Sequence, residues 1–361
     1  MSREQVASRS TGPKHWRSLD VLRAIAVLLV LGRHHTGNDL LHRVGWIGVD
    51  LFFVLSGFLV SGLVFDEVRR TGTFRPWRFL VRRGFKIYPS FYVLIVVSAV
   101  YMHVTGWEMG LMNHLAELFF FQSYHEALWP HTWSLAVEEH FYFLLVVAVV
   151  VLLLARLRLT WKWLVLIAIG VFVCCLSLRI LALVEPVAGI RFRLFATHLR
   201  LDSMMAGVLL AAWYRYRPIS FKRTFHRRSW FAWALMLLGL TPALLHQVEH
   251  PVVTTVGFTG LWVAGAIAVG MAVLPVRKEE RGVFTALLSG LAWIGGISYT
   301  TYLWHMFVLV GLNGLDHTTG WSFGEFDLLV YAVISVAVGW FMSLIVERPF
   351  LKIRERYFPR G

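Results

Sequence analysis

Apolar residues in this chain fall in long, nearly uninterrupted runs, and short basic segments separate them. A helix that crosses a bilayer needs roughly 20 predominantly apolar residues. Ten segments meet that pattern, near residues 19–38, 45–65, 86–105, 133–155, 162–184, 198–215, 229–247, 251–274, 289–312 and 327–346. The stretch 113–124, NHLAELFFFQSY, is apolar but short, and is expected to be a re-entrant or interfacial piece. The pattern predicts an all-α membrane protein with about ten transmembrane helices.

The distribution of charge gives the expected orientation. With ten spans, both termini lie on one side, and the loops of that side carry 28 of the 35 Lys and Arg residues. Basic loops stay in the cytosol, so both termini are expected there. Counting 113–124 as a span would invert every later loop and destroy this bias. Composition agrees: 57% of residues are hydrophobic and only 16% are charged, against about 25% charged in soluble domains. The formal net charge of +14 is divided among membrane loops and forms no folded basic module, which argues against a nucleic-acid partner. Membrane lipid is the expected surrounding.

Residues 1–18 read as a basic cytoplasmic tail, and 19–361 as a single polytopic transmembrane domain. No small-residue cleavage site follows the first apolar run, so an uncleaved first helix is expected. No polar segment is long enough for a separate soluble enzyme domain, so any chemistry belongs inside the bundle. Cys174 and Cys175 are adjacent within an apolar run and read as packing residues.

Ionisable residues inside spans cost about 2.5–3.5 kcal/mol each on insertion scales and are functional candidates. Arg23 and His34 are eleven residues apart in the first helix. That spacing places them on one face, about 16 Å apart along the axis. A fixed cation at one mouth and an imidazole deep inside suit a long anionic donor. His35 points about 100° away. In the second span, Asp50 is expected to pair with a nearby His or Arg, while Ser56, Gly57, Ser61 and Gly62 read as packing residues. Arg82, Arg83 and Lys86 open the third span as a candidate phosphate site. The fourth span opens HTWSLAVEEHFY, which puts Ser134, Glu138 and Tyr142 on one face. A carboxylate there could hold a histidine in one tautomer. Arg200 and Asp202 look like a local pair. Tyr299, Tyr302 and His305 share a face of the ninth span and join Tyr142, Arg200 and Asp202 as substrate-binding candidates. No HExxH string or zinc-like cysteine spacing occurs, so no metal is expected.

Seven segments in order resemble the acyltransferase-3 family of polytopic membrane acyltransferases: RSLDVLRAIAVLLVLGRHH, GWIGVDLFFVLSGFL, RRGFKIYP, HTWSLAVEEHFY, RLDSMMAG, GISYTTYLWH and VERPFLK. The resemblance covers about residues 17–352. It implies transfer of an acyl group, often acetyl, from acyl-CoA to a hydroxyl of a glycan, a lipid-linked sugar or another small-molecule acceptor. The expected location is the bacterial cytoplasmic membrane. The family's Arg-x10-His signature falls on Arg23 and His34, and its acidic second-helix position on Asp50. Its Arg-x2-Arg signature falls on Arg83 and Lys86. Lysine keeps the charge there but loses bidentate phosphate recognition. The WSLxVE segment falls on Trp133–Glu138. Some members add an SGNH-type domain; this chain reads as a member without one.

These expectations combine into one mechanism. Arg23, Arg82, Arg83 and Lys86 bind the phosphates of acetyl-CoA or another acyl-CoA. His34 acts as general base on the acceptor hydroxyl, and Glu138 or Asp50 orients it. The rival expectation is a transporter or flippase for an anionic or lipid-linked solute.

Overall fold

The computed structural model describes residues 16–157, 160–185, 189–226, 229–274, 283–320 and 323–359. The expected tail therefore lies outside the described residues up to position 15. Among the described residues the chain is helical and contains no strand. In order the helices are α1 (Arg17–His34), α2 (Asp39–Val44), α3 (Ile47–Thr71), α4 (Pro76–Thr105), α5 (Leu111–Leu118), α6 (Trp133–Leu154), α7 (Trp161–Val184), α8 (Ile190–Phe195), α9 (Leu201–Tyr216), α10 (Pro218–Thr224), α11 (Trp230–Leu245), α12 (Phe258–Val273), α13 (Val283–Gly296), α14 (Ser298–Thr319), α15 (Asp327–Met342) and α16 (Arg348–Tyr357). Short π-helical turns lead into α12 and link α15 to α16.

Each of the ten predicted segments contains an α-helix. Among the described residues, six helical stretches rather than ten are long and apolar enough to cross a membrane: α3, α4, α6, α7, Val253–Val273 and Gly324–Tyr357, with the bent pair α13 and α14 as a seventh if it is one span. With so many apolar helices the protein is a multi-pass integral membrane protein. The segment expected at 289–312 is not one straight span. It is the pair α13 and α14, bent by 75° at Ile297, directly after Gly295 and Gly296. Paired glycines leave the backbone free to turn there. The third segment also starts ten residues earlier than expected, because Pro76 sits at the first helical turn, where its missing N–H costs nothing. The 113–124 stretch forms only the short α5 followed by turns.

The centre of the bundle is built on close helix approach. α3 lies along α9, and α1 along α13. A Cβ on Gly57 would sit 2.1 Å from the Met204 carbonyl oxygen, and one on Gly207 would sit 2.2 Å from that of Val54. Small residues let helices touch backbone to backbone, which supplies the packing that a hydrophobic effect cannot supply within lipid. This contact fixes Asp50 on α3 against the start of α9.

Candidate active site

Two cavities lie inside the bundle and share one wall. The first, about 120 Å³, is cationic: Arg23 of α1 and Arg83 and Lys86 of α4 line it, with Ser56, Glu138, Tyr142 and Tyr299. The second, about 280 Å³, is lined by His34, Arg33, His42, His131, Arg200 and several aromatic rings. Val49 and Tyr302 line both. Helical spacing thus delivers Arg23 and His34 to different chambers from a single face of α1.

In the cationic chamber Glu138 is held from both sides. Ser56 donates to one carboxylate oxygen at 2.9 Å, and Tyr142 donates to the other at 2.8 Å. The i, i+4 relation of Glu138 and Tyr142 is therefore realised as a hydrogen bond. Ser56, expected to be a packing residue, belongs to this site. The Arg83 guanidinium lies 5.3 Å from the Tyr142 ring centroid and makes no ion pair among the described residues. Arg23 pairs with Asp20 at 3.2 Å. Lys86 pairs with Glu347 and stands over the Tyr299 ring. The Tyr299 hydroxyl donates to the Ile87 carbonyl at 2.7 Å. Arg82 does not share the chamber. It reaches α16, pairing with Glu355 at 2.9 Å and donating to the Phe358 carbonyl.

In the second chamber the His34 ring lies 5.1 Å from that of His305, which lies 4.6 Å from that of His131. Backbone carbonyls of α14 fix two of these rings. His305 Nδ1 bonds the Tyr302 carbonyl, and His131 Nε2 bonds the Leu303 carbonyl at 3.1 Å. Since a carbonyl only accepts, those nitrogens carry the protons. His131, in the loop before α6, is held neutral, because burial pushes its pKa down to about 3. His35 turns away and stacks on Tyr331.

Several expectations need correction. Arg200 and Asp202 are not a local pair, because residues two apart on a helix point in different directions. Arg200 instead grips Asp50 at 2.8 and 2.9 Å, and its guanidinium stacks 3.7 Å from the Phe258 ring centroid. Asp202 pairs with Arg179 at 2.6 Å and accepts from the Trp262 indole at 3.1 Å. Neither carboxylate expected to orient His34 does so here: Asp50 is held by Arg200 and Ser203, and Glu138 belongs to the other chamber. His131 was not singled out in the sequence. The only signal was its place three residues before Ser134, which does not reveal that its ring meets His305.

Among the described residues, no group of three or more His, Cys, Asp or Glu side chains could hold a metal ion.

Comparison with known proteins identifies the family of the chain. The acyltransferase domain that defines the acyltransferase-3 family matches residues 16–348. O-acetyltransferase OatA of Staphylococcus aureus strain NCTC 8325 is 27% identical over 94% of this chain and 58% of its own length. Peptidoglycan O-acetyltransferase OatA of Listeria monocytogenes is 32% identical over 36% of this chain and 24% of its own. A putative O-acetyltransferase of S. aureus strain MSSA476 is 26% identical over 94% of this chain and 58% of its own. The chain thus spans little more than half the length of the relatives it matches most fully. No solved structure matches it. With residues 16–348 matched, the chain belongs to the acyltransferase-3 family of membrane acyltransferases.

Proposed function

We propose that this protein is a membrane O-acyltransferase that moves an acetyl or other acyl group from acyl-CoA to an acceptor hydroxyl. The observation that carries the reading is the pair of chambers, cationic on one side and histidine-lined on the other, with a common wall at Val49 and Tyr302. Similarity to proteins named O-acetyltransferase supports the reaction, and one named for peptidoglycan supports a glycan as acceptor. Positive-inside charge supports cytoplasmic termini, and in this reading the Arg23 end of α1 faces the cytosol.

In this reading the cationic chamber receives the anionic donor. Arg83, held over Tyr142, meets a phosphate, and Arg23 and Lys86 add charge at the mouth. At about 120 Å³ the chamber is below the 300–1,000 Å³ of whole-ligand pockets, so it takes the thioester arm and leaves the nucleotide outside. The acceptor occupies the larger chamber. His34 removes the hydroxyl proton as the oxygen attacks the thioester carbonyl carbon. The carbon–sulfur bond breaks, the thiolate takes the proton, and the products are an ester and free CoA thiol. Glu138 serves the donor side: it fixes Tyr142, which carries Arg83.

Purified wild type, His34→Ala and Arg83→Ala, given radiolabelled acetyl-CoA with a glycan extract, test this. Extract-dependent transfer should vanish in His34→Ala while donor binding persists, and Arg83→Ala should weaken donor binding more than turnover. Normal transfer by both variants would refute the assignment. Two chambers on either side of one wall also suit a transporter. That reading is favoured if a solute crosses unchanged and no acyl-CoA is consumed.

A further inference from the structure

Tyr302 and Val49 are the only residues that line both chambers among the described residues. The Arg23 side and the His34 side therefore communicate past one aromatic ring and one isopropyl group. We propose that Tyr302 is a latched partition between the chambers and that it restricts the transferred group to a short acyl chain. The restriction to short chains rests on the acyltransferase reading; the partition does not.

The latch is visible in its hydrogen bonds. The Tyr302 hydroxyl donates to the His131 carbonyl at 2.7 Å, and Ser134 Oγ lies 2.6 Å from the Tyr302 hydroxyl oxygen. Tyr302 is thus tied to the last turn before α6 and to the first turn within it. Its ring is braced on both sides. Phe52, which lines the cationic chamber, meets it edge-on at 6.0 Å, and His131, which lines the other, meets it edge-on at 5.3 Å. Tyr302 is 6% exposed. A tyrosine held at both its ring and its hydroxyl keeps one rotamer, so the wall is closed at rest.

The backbone beneath it is suited to movement. Tyr302 lies five residues past the 75° bend at Ile297, and Gly295 and Gly296 just before the bend line the cationic chamber. A small rotation at this bend would carry Tyr302 along with the first turns of α14. The same residue carries the carbonyl that fixes His305, the ring beside His34. Opening the partition therefore also shifts the imidazole next to the proposed base.

The chemistry explains why a partition belongs here. The acceptor oxygen must come within about 3–3.5 Å of the thioester carbon, so the carbonyl has to reach the wall. An acetyl group adds only a methyl beyond that carbon. A longer chain must either fold back into the 120 Å³ chamber or push the ring aside. A closed ring also keeps water in the acceptor chamber from the thioester until an acceptor is seated.

Two measurements test this. In a background where Cys174 and Cys175 are serine, a cysteine is placed in each chamber, Ser56→Cys on the cationic side and Leu194→Cys on the other. Reconstituted vesicles of known orientation are treated from either face with an anionic, membrane-impermeant methanethiosulfonate. Each cysteine should react from one face only, and from opposite faces; adding Tyr302→Ala should let each react from both. Equal labelling from both faces without that change, or an unchanged pattern with it, overturns the partition. The second measurement follows thiol release from acetyl-, butyryl- and hexanoyl-CoA. Tyr302→Ala should raise the hexanoyl-to-acetyl ratio about tenfold or more, the scale on which a pocket discriminates methylenes, and should raise release without acceptor. Tyr302→Phe, which keeps the ring and loses the latch, should raise acceptor-free release but keep the chain-length order. An unaltered chain-length ratio in Tyr302→Ala refutes the selection. If wild type consumes no acyl-CoA at all, the acyltransferase reading and the chain-length selection fail together, and labelling still decides the partition.

Discussion

Replacing Asp50 with asparagine separates a structural carboxylate from one that takes part in the chemistry. Asp50 is 1% exposed and Arg200 is 2% exposed. Arg200 contacts both carboxylate oxygens, at 2.8 and 2.9 Å, and Ser203 adds a third hydrogen bond at 3.1 Å. The substitution keeps the size of the side chain but leaves the guanidinium buried without its counter-charge. Removing one partner of a buried pair costs about 3–5 kcal/mol, a factor of roughly 10² to 10³ or more in the folding equilibrium at 1.36 kcal/mol per decade. The charge-free double variant Asp50→Leu/Arg200→Met removes both desolvation penalties together, and such replacements are often neutral. It should therefore be more stable than Asp50→Asn, although it gives up the stacking of Arg200 on Phe258. Equilibrium unfolding in mixed micelles, followed by tryptophan fluorescence, measures all of these states. The reasoning is wrong if Asp50→Asn unfolds like wild type and yet has no transferase activity, because the carboxylate would then act in the reaction.

Three further outcomes follow from the same structure. Gly207→Ala should destabilise by about 1–3 kcal/mol or more, since the new Cβ would lie 2.2 Å from the Val54 carbonyl oxygen and 2.5 Å from the Phe58 nitrogen; a lower unfolding temperature in detergent checks it. Glu117, in the non-spanning α5, has its carboxyl pushed from 4.5 up to about 7 by burial. The folded protein then keeps a proton that the unfolded chain has released, so stability should fall as pH rises from about 4.5 to 7, by at most ~3 kcal/mol; Glu117→Gln should flatten that slope in pH-dependent unfolding. Tyr142→Leu removes the ring beneath Arg83 and should raise the donor KM roughly 2–5-fold, the size of a half-exposed cation–π contact, with kcat little changed in steady-state kinetics.

Helix positions were legible in the sequence because lipid demands long apolar runs and leaves few alternatives. The partners of the polar residues were not. Arg200 and Asp202 are neighbours in sequence but serve different ion pairs, because the helix turns about 100° per residue and each side chain finds the helix it faces. Arg200 meets Asp50 only because Gly57 and Gly207 bring α3 and α9 into backbone contact. Spacing within one helix shows which residues share a face, as with Arg23 and His34 or Glu138 and Tyr142. It does not show what lies opposite. The bend at Ile297 had a local signal in Gly295 and Gly296, yet a hydropathy window averages over a glycine pair. That bend and the hydrogen bonds of Tyr302 decide that Arg23 and His34 face separate chambers. The face readable from α1 is one continuous stripe; its division into two compartments is set by a residue 268 positions after His34.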